Sequence, residues 1–404
     1  MSCQQAVYQW TKVVTTHLPH LSKPQATVLA LWSVGMVLAR SCALSAVSVF
    51  LAHGLGRKPN TVRQQLREFC YEATAKRGQP RQALEVQSCF APLLAWVLSW
   101  WEGNQLALAM DATTLGQRFV VLVISVLYRG CAIPVAWTVL PAGEKHAWRK
   151  EWLRMLRQVR AAVPRRFFVL VLADRGLYAR WLFGRIVRLG WHPVLRINVG
   201  GTFRPAANAR YQPLRSFVPQ TGTQWVGCGT AFQGPRRRLN CTLLARWEEG
   251  YTDPWLLVTD LAPTAGEACW YGLRAWIEQG FKIIKRGGWQ WQRTRMTDPA
   301  RAARLWLAVA VATLWLLSVG GAAEERIPVG TLPLLPAQLW SPHRPRRATC
   351  LRLVSVFRHG WTLILAALLN QQRLPLGRFV PEPWPSAPEE KTQSTVMHEV
   401  LLAA

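Results

Sequence analysis

The spacing of apolar and polar positions divides the chain into two helical flanks and a central region of strands and helices. Residues 1–80 show helical periodicity, with an apolar segment at Ala43–His53 and an amphipathic one in TVRQQLREF, residues 61–69. Another apolar helix is predicted for about Ser88–Trp101. The basic linker TAKRGQPRQ, residues 74–82, lies between these segments. The first part of the chain is therefore predicted to be all-helical.

From about residue 105 the pattern changes to apolar runs of strand length. Gln105–Met110, Phe119–Tyr128 and Ala132–Leu140 predict three antiparallel strands, with turns at Gly116 and at Arg129-Gly130. The elements predicted next are a helix at 147–163, a strand at 167–173, a helix at 178–189 and a strand at 193–197. This β-β-β-α-β-α-β order predicts a mixed sheet with helices packed on it.

Residues 198–262 differ again, because short alternating runs are separated by Gly, Pro and Asn turns. The runs at 224–232, 239–247 and 255–260 predict a β-rich insertion.

The stretch Thr264–Lys285 is predicted to be one amphipathic helix. Thr264 and Glu267 fit a capping box, and Gly287-Gly288 supplies the stop. An apolar stripe consists of Leu273, Ile277, Phe281 and Ile284. Tyr271, Arg274, Glu278 and Lys285 fall within a sector of roughly 60° at about 100° per residue. A solvated face of surface ion pairs, with Glu278 pairing with Lys282, explains the same spacing.

The C-terminal part begins with Leu305–Ala323, which has no charged residue and is long enough to span a bilayer. We interpret it as the buried helix of a large domain, with a membrane span as the alternative. Residues 347–371 predict a helical hairpin or one long helix, and 381–404 a loose, Pro-rich tail.

Charge narrows the choice of partner. With 49 Lys and Arg against 21 Asp and Glu, the net charge is +28 and the pI about 11. Such a balance favours a polyanion, most simply nucleic acid, although ribosome-associated or membrane-surface proteins can be equally basic. The nine cysteines form no CxxC pair or zinc spacing, which is typical of reduced cytosolic thiols, and the N-terminus does not resemble a signal peptide.

The two predicted helices at Ala43–His53 and 61–69 are joined by a glycine turn. Together they resemble a helix-turn-helix, as would any αα-hairpin. Its second helix carries polar residues near its start that are predicted to contact DNA: Lys58, Thr61, Arg63, Gln64 and Arg67.

Three carboxylates are the candidate catalytic residues. Only five aspartates occur in the chain, and two of them, Asp111 and Asp174, follow apolar strands, where burial costs free energy unless the charge is paired or metal-bound. With Glu278 they make three carboxylates that can hold two Mg²⁺ ions for phosphodiester displacement. Individually, Asp111 could be a turn residue and Asp174 a helix cap.

Three motifs resemble the catalytic blocks of DDE transposases of the Insertion Sequence 4 superfamily. They are Asp111-Ala-Thr113, Ala173-Asp174-Arg175-Gly176 and Tyr271-x2-Arg274-x3-Glu278-x6-Lys285, and the resemblance covers about residues 105–295. It implies an α/β, ribonuclease-H-like catalytic core that contains a β-rich insertion, with helical regions at both ends.

The resemblance also implies roles for individual residues. Asp111, Asp174 and Glu278 would be catalytic ligands of two Mg²⁺ ions, with Mn²⁺ as an alternative. Tyr271, Arg274 and Lys285 would grip DNA phosphates, and the other expected DNA contacts are Arg175, Thr113 and Lys282. Family members that form hairpins flip a base and stack it on an aromatic ring. Trp225 is the candidate ring, and Trp289 or Trp291 are alternatives.

The expected function is therefore cut-and-paste transposition: binding of terminal inverted repeats, cleavage at the element ends and joining of the 3′ ends to target DNA. The partners expected are double-stranded DNA and a second copy of the chain in the complex, with no membrane, in the bacterial cytoplasm near the nucleoid. The alternatives are a ribonuclease-H-like nuclease or resolvase and a domesticated, non-transposing DNA-binding protein. The expected domains are residues 1–80 (DNA-binding), 81–197 and 263–323 (catalytic), 198–262 (insertion), 324–380 (helical) and 381–404 (tail).

Overall fold

The fold is described from a computed structural model, in which residues 2–76, 82–143, 148–208, 210–324 and 354–385 can be described. The N-terminal region is helical, as predicted. Its helices are α1 (Cys3–His17), α2 (Lys23–Ala39), α3 (Leu44–Leu55) and α4 (Pro59–Phe69), followed by α5 (Phe90–Ser99).

Local sequence explains where these helices begin and end. Ser2 and Ser22 each form a capping box with the glutamine three residues on, which satisfies backbone N–H groups at the starts of α1 and α2. Helix α3 ends at Gly56, whose φ of 61° is left-handed, and Pro59 opens α4. A three-residue turn with a glycine thus separates α3 from α4, which agrees with the predicted helix-turn-helix-like unit.

Ten strands form one sheet in the described residues. They are β1 (Gln105–Leu115), β2 (Phe119–Tyr128), β3 (Cys131–Pro141), β4 (Phe168–Ala173), β5 (His192–Arg196), β6 (Thr202–Pro205), β7 (Gln212–Pro213), β8 (Gln224–Ala231), β9 (Leu239–Arg246) and β10 (Trp255–Thr259). The helices α6 (Trp148–Arg160) and α7 (Arg180–Arg188) follow β3 and β4.

The first five strands have the order β3-β2-β1-β4-β5. The pairs β1–β2 and β2–β3 are antiparallel, whereas β4 runs parallel to both β1 and β5. An antiparallel meander that continues through two parallel strands with helical crossovers is the ribonuclease-H-like arrangement. The predicted fold class is confirmed.

The β-rich segment continues the same sheet. Strand β10 returns antiparallel to β5, and β9, β8, β6 and β7 add outward in that order. The predicted strands in this segment are confirmed to within a few residues, but the sequence did not show that they extend the core sheet edge to edge.

Helix α9 (Pro299–Glu324) is the central core helix. It is long and apolar enough to cross a bilayer, and 94% of its most apolar 18-residue stretch is buried. Trp315 stacks on Trp10 of α1 at 4.2 Å between ring centroids, so the N-terminal helices pack directly on α9. The prediction of a buried helix is confirmed for this segment.

The C-terminal part that can be described contains α10 (Val356–Leu369), which packs along α9. Gly320 and Gly360 make this close packing possible, since a β-carbon on Gly320 would lie 2.0 Å from the carbonyl oxygen of Val356. The start of the predicted 347–371 helical segment and most of the 381–404 tail lie outside the described residues.

The prediction of a loose tail is wrong for its first residues. Glu382 is buried and pairs with Arg129 at 3.9 Å, and the Trp384 ring lies 5.3 Å from that of Trp270. The polar, Pro-rich composition was misleading here, because two of its side chains have specific partners on the core.

Candidate active site

Asp111 and Asp174 lie side by side because of strand register. Met110 pairs with Ala173 in the parallel β1–β4 ladder, and the two aspartates are the next residues along their strands. Contrary to the prediction, β1 does not end at Asp111: it continues to Leu115 by pairing with β2. What ends at Asp111 is the pairing with β4, so that edge of the sheet opens there.

The third carboxylate comes from a helical segment whose geometry changes along its length. A 3₁₀ turn spans Ala268–Arg274, α8 spans Ala275–Lys282, and a π-helical turn spans Ile283–Gly287. The predicted single helix from Thr264 is therefore wrong, and so is the capping box, since the Glu267 side chain makes no capping hydrogen bond. The predicted stop at Gly287-Gly288 is confirmed.

This irregular winding aligns the polar residues that the sequence had grouped. Residues three apart eclipse each other in a 3₁₀ turn, which brings Tyr271 and Arg274 to one side, and Glu278 follows one α-helical turn later. The predicted apolar stripe from Leu273 to Ile284 is buried, as expected.

Gly280 sets how closely α8 approaches the sheet. A β-carbon there would lie 2.9 Å from Cβ of Ala132 on β3 and 3.4 Å from its carbonyl oxygen. A side chain at this position would push α8 away from β3. The missing side chain thus fixes the height of Glu278 above Asp111.

Arg274 connects the three carboxylates. Its Nη2 donates to Oδ2 of Asp111 at 2.7 Å and lies 3.8 Å from Oδ2 of Asp174, while Nη1 donates to Oε1 of Glu278 at 2.5 Å. The Tyr271 hydroxyl donates to Oδ1 of Asp174 at 3.2 Å. The predicted trio of carboxylates is thus brought together around one guanidinium.

Burial and charge act on these groups in opposite directions. Burial raises the pKa of Asp111, although Arg274 and the Ala112 N–H favour its ionised form. Burial would also raise the pKa of Asp174, but Arg274, the Arg175 N–H and Tyr271 together lower it below its ordinary value. At Arg274, burial alone would lower the pKa, but the nearby carboxylates favour the charged guanidinium and the pKa is raised. Tyr271 has its pKa raised, first by burial.

The cluster opens gradually toward solvent. The Asp111 side chain is 19% exposed, that of Asp174 36% and that of Glu278 39%. No group of three His, Cys, Asp or Glu side chains in the described ranges is close enough to enclose a metal ion, because a guanidinium lies among these carboxylates. The all-oxygen donor set suits Mg²⁺. The residues therefore fit such ions once Arg274 moves aside.

The predicted DNA contacts nearest the carboxylates differ in exposure. Thr113 is buried, so the expectation that it contacts DNA is wrong: it pairs with Val121 inside the sheet. Arg175 pairs with Asp253 at 3.5 Å, and Lys282 is exposed on α8. Lys285 is half-buried, which lowers its pKa, and among the described residues it makes no hydrogen bond or ion pair.

Two of the three candidate stacking rings are excluded by burial. Trp289 and Trp291 are fully buried, with the Trp289 ring against Phe357 and its Nε1 donating to Thr313, so the suggestion that they stack on a base is wrong. Trp225 lies on β8, four strands from β4, or roughly 19 Å at the usual strand spacing. It packs against Phe217 at 4.5 Å, so the structure does not bring it together with the carboxylates.

The residues predicted to contact DNA from the helix-turn-helix-like unit are all on its surface. They are Lys58, Thr61, Arg63, Gln64 and Arg67. The apolar residues between them, Val62 and Leu66, are buried.

Sequence reasoning missed Arg196 and Arg118. Arg196 ends β5 as Asp174 follows β4, and its charge helps to lower the pKa of Asp174. Arg118 in the β1–β2 turn donates from Nη1 to the carbonyl oxygens of Thr294 at 2.6 Å and Met296 at 3.0 Å. The signal for Arg196 was available, since it too stands near the end of a predicted strand.

Comparison with known proteins identifies the domain. Residues 116–315 match a family model described as the transposase DDE domain. This part of the chain is therefore similar to the transposase DDE domain. The matched residues include Asp174 and Glu278, and Asp111 lies shortly before them on β1, which agrees with a DNA transposase.

Two other comparisons add little to this match. No curated protein matches the chain. A solved structure described as a piggyBac transposase synaptic complex with hairpin DNA is similar over 76% of this chain and 73% of that chain, at 9% identity and a TM-score of 0.35.

Proposed function

We propose that this transposase is of the Insertion Sequence 4 type and moves DNA by a cut-and-paste route. It would bind terminal inverted repeats, cleave DNA at the element ends and join the 3′ ends to target DNA. The observation that carries the proposal is the meeting of Asp111, Asp174 and Glu278 from three separate elements around Arg274.

Asp111, Asp174 and Glu278 would hold two divalent ions, Mg²⁺ or Mn²⁺. When bound, such ions activate the attacking oxygen and stabilise the leaving oxygen of a phosphodiester. The register of β1 and β4 fixes the two aspartates relative to each other, and the close packing of α8 on β3 fixes Glu278 above them.

Tyr271 and Arg274 would then exchange partners. In the structure both donate to the carboxylates, and the Arg274 guanidinium places a positive charge among them. With the carboxylate charge neutralised, the Arg274 guanidinium is free to donate to a phosphate of the strand being cut. Lys285, one turn beyond α8, would contact the same strand.

Joining two element ends requires two active sites in one complex, so we propose a dimer on DNA. We place this complex in the bacterial cytoplasm, at the nucleoid. The partner DNA would be double-stranded at both the element ends and the target.

The test uses isosteric variants that remove charge without removing volume: Asp111→Asn, Asp174→Asn and Glu278→Gln. Each is incubated with Mg²⁺ and a plasmid carrying the DNA that flanks the reading frame, and both nicking and joining to a second plasmid are scored. All three variants should bind this DNA and lose both activities. Substantial Mg²⁺-dependent cutting by any of them would show that the ligand assignment is wrong.

Asp260→Asn is the matched control. Asp260 pairs with His192 at the opposite end of β5, so this variant should keep both activities. Cleavage without joining by the unmodified protein would favour the nuclease or resolvase alternative. Binding without cleavage would favour the domesticated one.

A further inference from the structure

A basic cleft of about 600 Å³ lies outside the carboxylate site. Its walls are α4, the start of α3 and the segment 293–301 that leads from the catalytic helix into α9. The charged residues that line it are Arg63, Arg67, Arg293, Arg295, Arg301 and Asp298.

These arginines have no anionic partner in the described part of the chain. None of the five forms an ion pair with a described acidic residue. Asp298 is used otherwise: its Oδ1 accepts the Arg301 backbone N–H at 2.8 Å and caps the start of α9. Five cations around one cavity repel each other unless an anion is bound there, so the cleft is built for an external anion.

Tyr71 holds two of the arginines near each other. The Arg301 guanidinium carbon lies 4.2 Å from the Tyr71 ring centroid, and that of Arg67 lies 5.3 Å from it. The ring attracts both cations and orients them at the junction of α4 and α9. The two walls of the cleft therefore present guanidinium groups at a defined spacing.

The second wall is tied to the catalytic core. Arg118, in the turn of the hairpin that carries Asp111, holds the 294–296 backbone through its two carbonyl contacts. The Cys42 N–H donates to the carbonyl oxygen of Trp289 at 2.7 Å, which joins the chain just before this segment to the α2–α3 connection. The cleft thus bridges the helix-turn-helix-like unit and the active-site hairpin.

We propose that this cleft binds the phosphate backbone of double-stranded DNA between α4 of the helix-turn-helix-like unit and the active-site edge. Arg293 and Arg295 contact phosphates, and Arg118 is a positioning residue that holds their segment in place. The inference rests on the proposed function, since it takes the DNA to be the substrate of the same protein. It assigns to residues after the catalytic helix a share in holding that substrate.

Duplex DNA fits better than a small anion. Arginines stand on both walls, and the exposed Thr61 and Gln64 continue the polar surface along α4. A single phosphate would reach only part of this set, whereas a DNA backbone presents charges at regular intervals.

The test measures salt dependence with Arg293→Ala/Arg295→Ala. A fluorescent duplex of about 40 base pairs serves as probe, because sequence-independent binding already reports phosphate contacts. The slope of log K against log salt is negative, and each lost phosphate contact reduces its magnitude by about 0.9. The magnitude for the double variant should therefore be smaller by nearly two units. Arg301 is left intact because it packs on Tyr71.

Arg165→Ala/Arg166→Ala is the control with the same change in charge. Both residues are exposed just before β4, at the end of the sheet away from the carboxylates, and their loss should leave the slope almost unchanged. Arg118→Gln separates positioning from contact: affinity should fall severalfold at an unchanged slope, and a lower slope would make Arg118 itself a phosphate contact.

The outcomes distinguish the two proposals. Equal slopes for the unmodified protein and Arg293→Ala/Arg295→Ala would overturn the cleft inference, provided that the unmodified protein binds DNA and nicks it with Mg²⁺. Failure of the unmodified protein to bind or cut DNA would overturn the proposed function instead.

Discussion

The exchange of partners at Arg274 can be tested by replacing this residue alone. Arg274→Gln keeps a hydrogen-bonding side chain but removes a cation that lies against all three of Asp111, Asp174 and Glu278. If this guanidinium and metal ions compete for the carboxylates, the variant should be less stable than the unmodified protein when no metal is added. Added metal ions should then raise the stability of the variant more than that of the unmodified protein.

The size of the loss follows mainly from Asp111. Removing one partner of a buried ion pair costs about 3–5 kcal/mol, and Arg274 and Asp111 are only 13% and 19% exposed. Asp174 and Glu278 are more than a third exposed, so solvent screens most of their contribution. We expect a loss of about 3 kcal/mol, or a fall of about 3–4 °C in the unfolding midpoint for a chain of this size.

Mg²⁺ should reverse much of this loss. An ion that binds only the folded state adds about 2.7 kcal/mol at a hundred times its Kd. In the unmodified protein, the ions must first displace Arg274, so the gain at the same concentration should be smaller. The midpoint of Arg274→Gln should therefore rise more with Mg²⁺ than that of the unmodified chain.

The stabilisation should also depend on pH in a defined direction. Arg274 helps to hold the pKa of Asp174 below its ordinary value of 3.8. A lowered carboxyl pKa stabilises the folded state above the unfolded value and loses that effect as the pH falls through the folded pKa. The difference between the unmodified protein and Arg274→Gln should thus be largest near neutral pH and shrink below about pH 4.

The assay is thermal unfolding followed by circular dichroism, with and without Mg²⁺, at several pH values. Arg154→Gln is the control, because Arg154 pairs with Glu151 on α6 and its loss should not respond to Mg²⁺. Equal Mg²⁺ shifts for Arg274→Gln and the unmodified protein would refute the idea that Arg274 competes with metal ions.

Two further predictions follow from packing and from burial. Gly280→Ala should lower the free energy of unfolding by about 1–3 kcal/mol and reduce cleavage, because the new methyl group pushes α8 away from Ala132. The control is Gly234→Ala, whose methyl group meets open space and should change neither quantity. Unchanged cleavage in Gly280→Ala would contradict the role of this packing in placing Glu278. The second prediction uses a Cys350→Ser background and a thiol reagent at pH 8. The exposed Cys228 should be labelled far faster than the buried cysteines Cys42, Cys70 and Cys241. Burial raises the pKa of each of these three thiols to about 12, so little of the reactive thiolate is present. Persistence of the fast phase in Cys228→Ser would contradict this assignment.

The lengths of apolar runs and the positions of carboxylates after them could be read from the sequence because they are local properties. The apolar run of strand length in β2 predicted its residues Phe119–Tyr128 as the structure has them, and the uncharged run in α9 predicted a buried helix. Asp111, Asp174 and Glu278 could be found because a carboxylate after an apolar run needs a partner or an ion.

Irregular winding and side-chain burial were not readable, since they depend on what packs nearby. The segment 268–287 changes from a 3₁₀ turn to an α-helix to a π turn, whereas its apolar stripe fits a single helix equally well. Trp289 and Trp291 lie in a basic loop, which suggested stacking on DNA, yet their rings are in the core because α9 and α10 provide the apolar surface that covers them.

The sequence by itself determined which residue types are present for the chemistry and which strands and helices carry them. Only the tertiary structure decided that Arg274 lies among the carboxylates, that the β-rich insertion continues the core sheet, and that segment 293–301 faces α4 across a basic cleft. The physical reason is distance along the chain. Strand register and helix packing bring together residues that are far apart in the chain, such as Asp111 and Arg274, which are 163 positions apart. Local sequence patterns carry no record of those contacts.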